Sequence, residues 1–174
     1  GATAIVNPHR VWSEYPFKEI SGSMVALKVM EAYEIYMIDS GKVPFETGPQ
    51  WRFNGVMDEL QELAMLWTVA DVMPIVDENK WLVKDTLTRL GKSKNMWLRY
   101  FVNSLSEEYN ETWRGHLSTD IVGWQIWPRI NAAWRIGRPE QALIMFLLDD
   151  LNHIADVYKS LNSTNKERQE ILAE

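Results

Sequence analysis

The chain contains no cysteine, which removes disulfides, thiolate metal sites and thiol nucleophiles in one step. Histidine is nearly as scarce. His9, His116 and His153 stand far apart and form no local zinc pattern such as H-E-x-x-H. G-x-S-x-G, G-x-x-x-x-G-K-S/T and G-x-G-x-x-G are also missing, so no nucleophile elbow, P-loop or dinucleotide fingerprint can be read. No apolar run approaches the ~20 residues a membrane-spanning helix requires. The opening GATAIVNPHR lacks the charged-then-apolar order of a secretory signal. A soluble, cytoplasmic protein with no membrane partner is the expectation. Strand-like alternation and internal repeats are absent too, which excludes sheet and solenoid architectures.

What is present fits one helical domain. The 174 residues are 46% hydrophobic and 24% charged, enough apolar surface for a core and too little charge for disorder. Nine tryptophans, each able to bury on the order of 200 Å², are expected mostly in that core. The net charge of −6 is unevenly spread. Residues 84–138 hold nine Lys/Arg against five Asp/Glu, between flanks with six against twelve and three against seven.

Along the chain, residues 1–16 contain Pro8 and Pro16 and no helical period, and read as an extended arm. SMVALKVMEAYEIYMID, from Ser23 to Asp39, begins at a serine cap and stops at Ser40-Gly41. A second helix carries Phe53, Met57, Leu60, Ala64 and Trp67 on one stripe and ends before Pro74. A third runs from Asp77 to Gly91. A fourth opens at Ser93 with Leu98, Phe101, Val102, Leu105 and Tyr109 on one face. Thr119 or Asp120 caps a short segment, and a new helix is expected to start at Pro128 and stop at Gly137. Pro139 to Asn162 reads as one long amphipathic helix, and residues 163–174 as a weakly ordered polar tail. The expected architecture is an all-α bundle of six or seven helices in a single domain, with the N-terminal arm.

Three acidic constellations could carry chemistry. Asp149, His153 and Asp156 fall at i, i+4 and i+7 of the long helix, a spacing able to present metal ligands. They lie opposite its apolar stripe of Leu143, Leu147, Leu151, Ile154 and Tyr158, and are expected to face water. Glu59 and Glu62 in DELQELA keep an E-x-x-E spacing that resembles the Mg²⁺-binding motif of the all-α nucleotide pyrophosphohydrolases. The E-x-x-D that family needs on the next helix is missing between residues 63 and 91, where the acids are Asp71, Asp77, Glu78 and Asp85. Asp71 continues the stripe of the second helix and would point inward, as a structural ion pair or cap. No cofactor or metal is implied by this reading.

The densest feature is GWQIWPRINAAWRIGRP, Gly123 to Pro139. On a helix from Pro128, the residues Ile130, Ala133 and Trp134 make a core stripe, which Trp127 joins if the helix is kinked rather than broken, while Arg129 and Arg135 point elsewhere. Trp113, Arg114, Trp124, Arg129, Arg135 and Arg138 then form a candidate binding patch, and Trp12 on the arm a second contact. Arginine suits phosphate or carboxylate, and tryptophan suits stacking or interface anchoring. The acidic flanks would repel a polyanion and attract the patch of a neighbour. The leading expectation is therefore a non-catalytic structural or adaptor protein acting by protein–protein association, as a homo-oligomer (a viral or phage-type subunit) or on an acidic partner. Nucleic-acid binding through the same patch comes second. A Mg²⁺-dependent nucleotide hydrolase using Glu59, Glu62, Asp149 and Asp156 comes third.

Overall fold

The computed structural model describes residues 1–42, 56–108 and 117–173, and there the chain is helical, with no strand among the described residues. This is the all-α class expected from the sequence. Its contacts gather into two units, residues 1–86 and 87–174.

In the first unit, residues 1–21 carry turns but no helix, and lead into α1 (Gly22–Asp39). The cap is Ser21 rather than Ser23. Its Oγ accepts from the Met24 N–H at 3.2 Å and shares a buried 2.8 Å hydrogen bond with Thr68 Oγ1. One hydroxyl thus satisfies a helix terminus and ties α1 to α2 (Val56–Ala70). At the other end Gly41 adopts φ +69°. Its N–H bonds Ile38 O, and that of Lys42 bonds Met37 O, a Schellman closure that needs the left-handed backbone glycine allows.

The buried face of α2 keeps only Met57 and Ala64 of the stripe read from the sequence. Met57, Gln61, Ala64, Met65 and Thr68 are buried, whereas Leu60 and Trp67 are only half-buried; Phe53 lies outside the described residues. The helix ends at Ala70, so Asp71 sits exposed in a turn and is not an inward carboxylate. Val72 follows at φ +55° and 86% exposed, a β-branched residue held in the left-handed region. Then comes α3 (Asp77–Arg89). Its first turn anchors the arm: Tyr15 OH donates to Glu78 at 2.6 Å, and the buried Asn79 donates to Glu19 O and Pro74 O.

The second unit is built around α5 (Trp127–Arg135), which packs on α6 (Pro139–Leu147) and α7 (Leu151–Ala173). Ala132 and Ala133 are fully buried and let those helices approach closely. The helix α4 (Met96–Glu108) buries Leu98, Phe101, Val102 and Leu105 as expected; Tyr109 lies outside the described residues. Trp97 is fully buried and meets Phe101 and Phe146 edge-on, at 6.0 and 5.0 Å between ring centroids, a preferred aromatic geometry.

Three boundaries differ from the sequence reading. The chain does not restart at Pro128. A π-helical segment, Ile121–Ile126, runs straight into α5, with the Trp127 N–H bonded to Val122 O. Proline has no N–H for the α-helical bond to Trp124 O, so the preceding turn widens to i→i+5 pairing. The expected long helix breaks at Leu148, whose backbone is extended, and Asp150 caps the next one by accepting from the His153 N–H at 2.9 Å. Finally, residues 163–173 continue α7, with Thr164 and Asn165 buried. The stop at Gly137 is as read: φ +75°, with Arg138 N–H on Ala133 O.

Candidate nucleic-acid interface

The tryptophans are not mostly core. Among those described, Trp97 alone is fully buried; Trp12, Trp81, Trp124 and Trp134 are exposed and Trp67 and Trp127 lie between. Trp134, expected on the core stripe of α5, faces outward, while Ile130 and Ala133 are buried as read.

The arginines divide. Arg129, expected to point away from the core, is 6% exposed. Its Nε donates to Asn162 Oδ1, and one terminal nitrogen donates to Gln125 O and Oε1 at 2.8 and 2.9 Å. The other lies 3.5 Å from Glu108 Oε2. A guanidinium taken from water needs its donors met this way, and Arg129 is a tie between the π-segment, α5, α4 and α7 rather than a free surface cation. Arg135 and Arg138 are exposed and form no ion pair with any described residue. Trp113 and Arg114 lie outside the described residues.

Above Arg129 opens a polar pocket of about 270 Å³ in the second unit. Trp124 stands at its edge, 75% exposed. It leaves the helix where the π-turn inserts an extra residue, a feature common at functional sites. Asn165, Lys166 and Gln169 of α7 form the facing wall. Glu108 is half-exposed there, and its Oε2 is held by Arg129 and, at 3.4 Å, by the Tyr158 hydroxyl. Burial, against the opposing hydrogen bond of Asn162 and charge of Arg129, holds that phenol above its usual pKa.

The sequence missed the α7 wall because STNKERQE reads as a polar tail. A signal was there: Ile154, Tyr158, Leu161 and Asn165 recur at spacings of four, three and four, and all four are buried, so the inward stripe runs on past Asn162. Trp124 was identified, though without its pocket.

The acidic candidates do not assemble. Glu59 is half-buried and Glu62 buried in α2. Asp149 lies in the break before α7, so it shares no helical face with His153 and Asp156, and all three are exposed. His153 instead pairs with Asp150, Nδ1 to Oδ1 at 3.2 Å. Among the described residues no three His, Asp or Glu side chains gather as a metal site, and no helix is long and apolar enough to cross a membrane.

In the first unit Trp12 lies over an apolar groove of about 310 Å³ lined by Ile5, Val6, Pro8, Ile20 and Val25. The Arg10 guanidinium sits 4.9 Å from the centre of its ring.

No protein-family model matches the chain. It is 29% identical over 170 residues to the single-stranded-DNA-specific exonuclease RecJ of Bacillus subtilis, covering 98% of this chain and 19% of that protein. The RecJ of Salmonella typhimurium is 31% identical over 170 residues, covering 98% of this chain and 28% of that one. Among solved structures, exonuclease RecJ bound to manganese superposes with a TM-score of 0.69 at 30% identity, over 90% of this chain and 35% of that one. RecJ of Thermus thermophilus in complex with Mg²⁺ gives 0.56 at 35% identity, over 65% and 17%. These likenesses overturn the expectation of a non-catalytic structural or adaptor protein acting by protein–protein association, and bring forward the nucleic-acid reading that stood second. Acidic flanks repel a strand only where it passes within a screening length of them. The chain spans less than a third of the curated relatives it matches, and along nearly all of its own length it is similar to part of an exonuclease named for single-stranded DNA.

Proposed function

We propose that this chain is a helical region of a single-stranded-DNA exonuclease, and that its part is to hold the strand. The observation that carries this reading is the similarity to RecJ exonucleases along 98% of the chain. The surface of the second unit supports it: Arg135 and Arg138 are exposed without ion pairs among the described residues, and Trp124 and Lys166 are presented beside one pocket. Arginine suits phosphate, and exposed indoles offer faces to unpaired bases. The described residues supply no metal site of their own, and strand cleavage belongs to the proposal for the whole enzyme.

The test is fluorescence anisotropy of a labelled oligonucleotide with the 174-residue chain across a salt series. Binding is expected to weaken linearly in log K against log salt, with a slope near −0.7 for each phosphate contacted. Replacing Arg135 and Arg138 together by alanine is expected to flatten it by about 1.4. Absence of binding at low salt would refute the reading.

A further inference from the structure

The pocket over Arg129 has a composition that selects its ligand. An indole face is open at the rim, amides line the sides, a lysine stands on α7, and a buried arginine forms the floor. No ring partner or cation lies over Trp124 among the described residues. That face is therefore available to a planar group, and the polar walls exclude a purely apolar one. A neutral sugar would satisfy indole and amides but gain nothing from Lys166. Arg129 is engaged with the single carboxylate, Glu108, and Lys166 adds a second positive charge with no ion pair among the described residues. The ligand that uses every element is planar and anionic at once. The volume, about 270 Å³, is below the roughly 300–1,000 Å³ of pockets for drug-sized molecules, room for one unit rather than a stacked run.

We propose that this pocket takes a single nucleotide of an unpaired strand, its base stacked on Trp124 and its phosphate at Lys166. The inference rests on the nucleic-acid reading above and adds to it a defined subsite, with Arg129 as the positioning residue beneath. Its fixed guanidinium holds Gln125 and Asn162 in place on two sides of the pocket. Because the base must lie on the indole, paired bases cannot enter, and the site discriminates single from double strands.

The experiment compares a dT12 strand with an abasic strand of the same length, bound to the 174-residue chain and to Trp124→Ala, Trp124→Phe and Lys166→Gln variants. Trp124→Ala is expected to weaken dT12 binding roughly 5- to 150-fold, the range of one base–aromatic stack, and Trp124→Phe to restore most of it. On the abasic strand Trp124→Ala is expected to change nothing. Lys166→Gln should weaken both strands and lower the salt slope by about 0.7. Trp124 and Lys166 are exposed, and circular dichroism is expected to match the unchanged chain. If Trp124→Ala binds dT12 as the unchanged chain does, or weakens both strands equally, the subsite is overturned while the nucleic-acid reading stands. If the unchanged chain binds neither strand, both fall together.

Discussion

Trp12 and Trp124 are 72% and 75% exposed, and each shares its pocket with an arginine, yet the arginine does opposite things in the two places. In the first unit Arg10 lies over the ring of Trp12, beside a groove whose walls are mostly apolar. Its guanidinium uses the indole face and one backbone carbonyl, Ile5 O at 3.4 Å. In the second unit Arg129 finds Glu108, Asn162 and two Gln125 oxygens already placed by helices. It sinks beneath the pocket and leaves the indole of Trp124 uncovered. The number of fixed acceptors decides whether an arginine becomes a cover or a floor. A pair of residue types at similar spacing therefore says little about a site until their surroundings are known.

The sharpest way to break this contrast is to remove each arginine. Arg129→Ala is expected to cost about 2–4 kcal/mol in urea unfolding, through lost hydrogen bonds and a cavity under the pocket. Arg10→Ala is expected to stay within about 0.5 kcal/mol. Equal losses would show that Arg129 is no more embedded than Arg10. Arg129→Lys should recover little, because an ammonium cannot reproduce the fork.

A backbone control comes next. Gly41→Ala in the first unit and Gly137→Ala in the second place a Cβ in open space at φ +69° and +75°. Each is expected to cost about 1–2 kcal/mol through the left-handed conformation alone. Matching losses in thermal unfolding would locate the difference between the regions in side chains, not backbone.

Smaller effects lie in the cluster of the first unit. Burial pushes the Glu78 carboxyl up, but hydrogen bonds from Lys28 and Tyr15 and the Lys28 charge outweigh it and hold it below its ordinary pKa. Lys28 stays above its ordinary value although burial opposes this, because of Glu78 and Glu31. Glu78 therefore lends stability that is complete above its unfolded pKa and is lost as pH falls through the lowered folded value. The contribution of Lys28 is complete below its unfolded pKa and is lost as pH rises through the raised folded value. Glu78→Gln is expected to remove the acid-side loss and to cost on the order of 0.5–1 kcal/mol near neutrality, the range of a partly exposed pair. Urea midpoints from pH 3 to 7 would read it. Val72→Asn should act in the opposite direction, adding about 0.5–1 kcal/mol by relieving a left-handed β-branched residue that is 86% exposed. Trp124→Ala is expected to leave stability within about 0.5 kcal/mol, as an exposed residue should.

What the sequence made legible was local. Gly41 and Gly137 mark helix ends that depend on a single φ, and the α4 face follows from 3.6-residue periodicity. What it concealed depends on partners distant in the chain or on competition between signals. The break at Leu148–Asp150 is invisible to hydrophobic period because leucines continue on both sides of it. Leu147 and Leu151 turn out to be exposed, and the cap from Asp150 outcompetes a continued helix. Arg129 looked like a surface cation because Asn162 lies 33 residues away and Glu108 arrives from α4. Pro128 did announce an irregularity, but whether a proline starts a helix or widens the turn before it is settled by packing. Here Ile121, Val122 and Ile126 are all buried, which holds the π-segment in line with α5. Trp124 was singled out as a candidate, and the pocket beside it exists only because residues 163–173 extend α7.

The central claim, that this chain holds unpaired strands, is tested most directly by competition. A labelled single strand bound to the 174-residue chain is challenged with the same unlabelled strand or with its duplex. The single strand is predicted to displace the label at a concentration at least about tenfold lower than the duplex, since only unpaired bases offer a face to stack. Displacement by both at the same concentration would contradict the account.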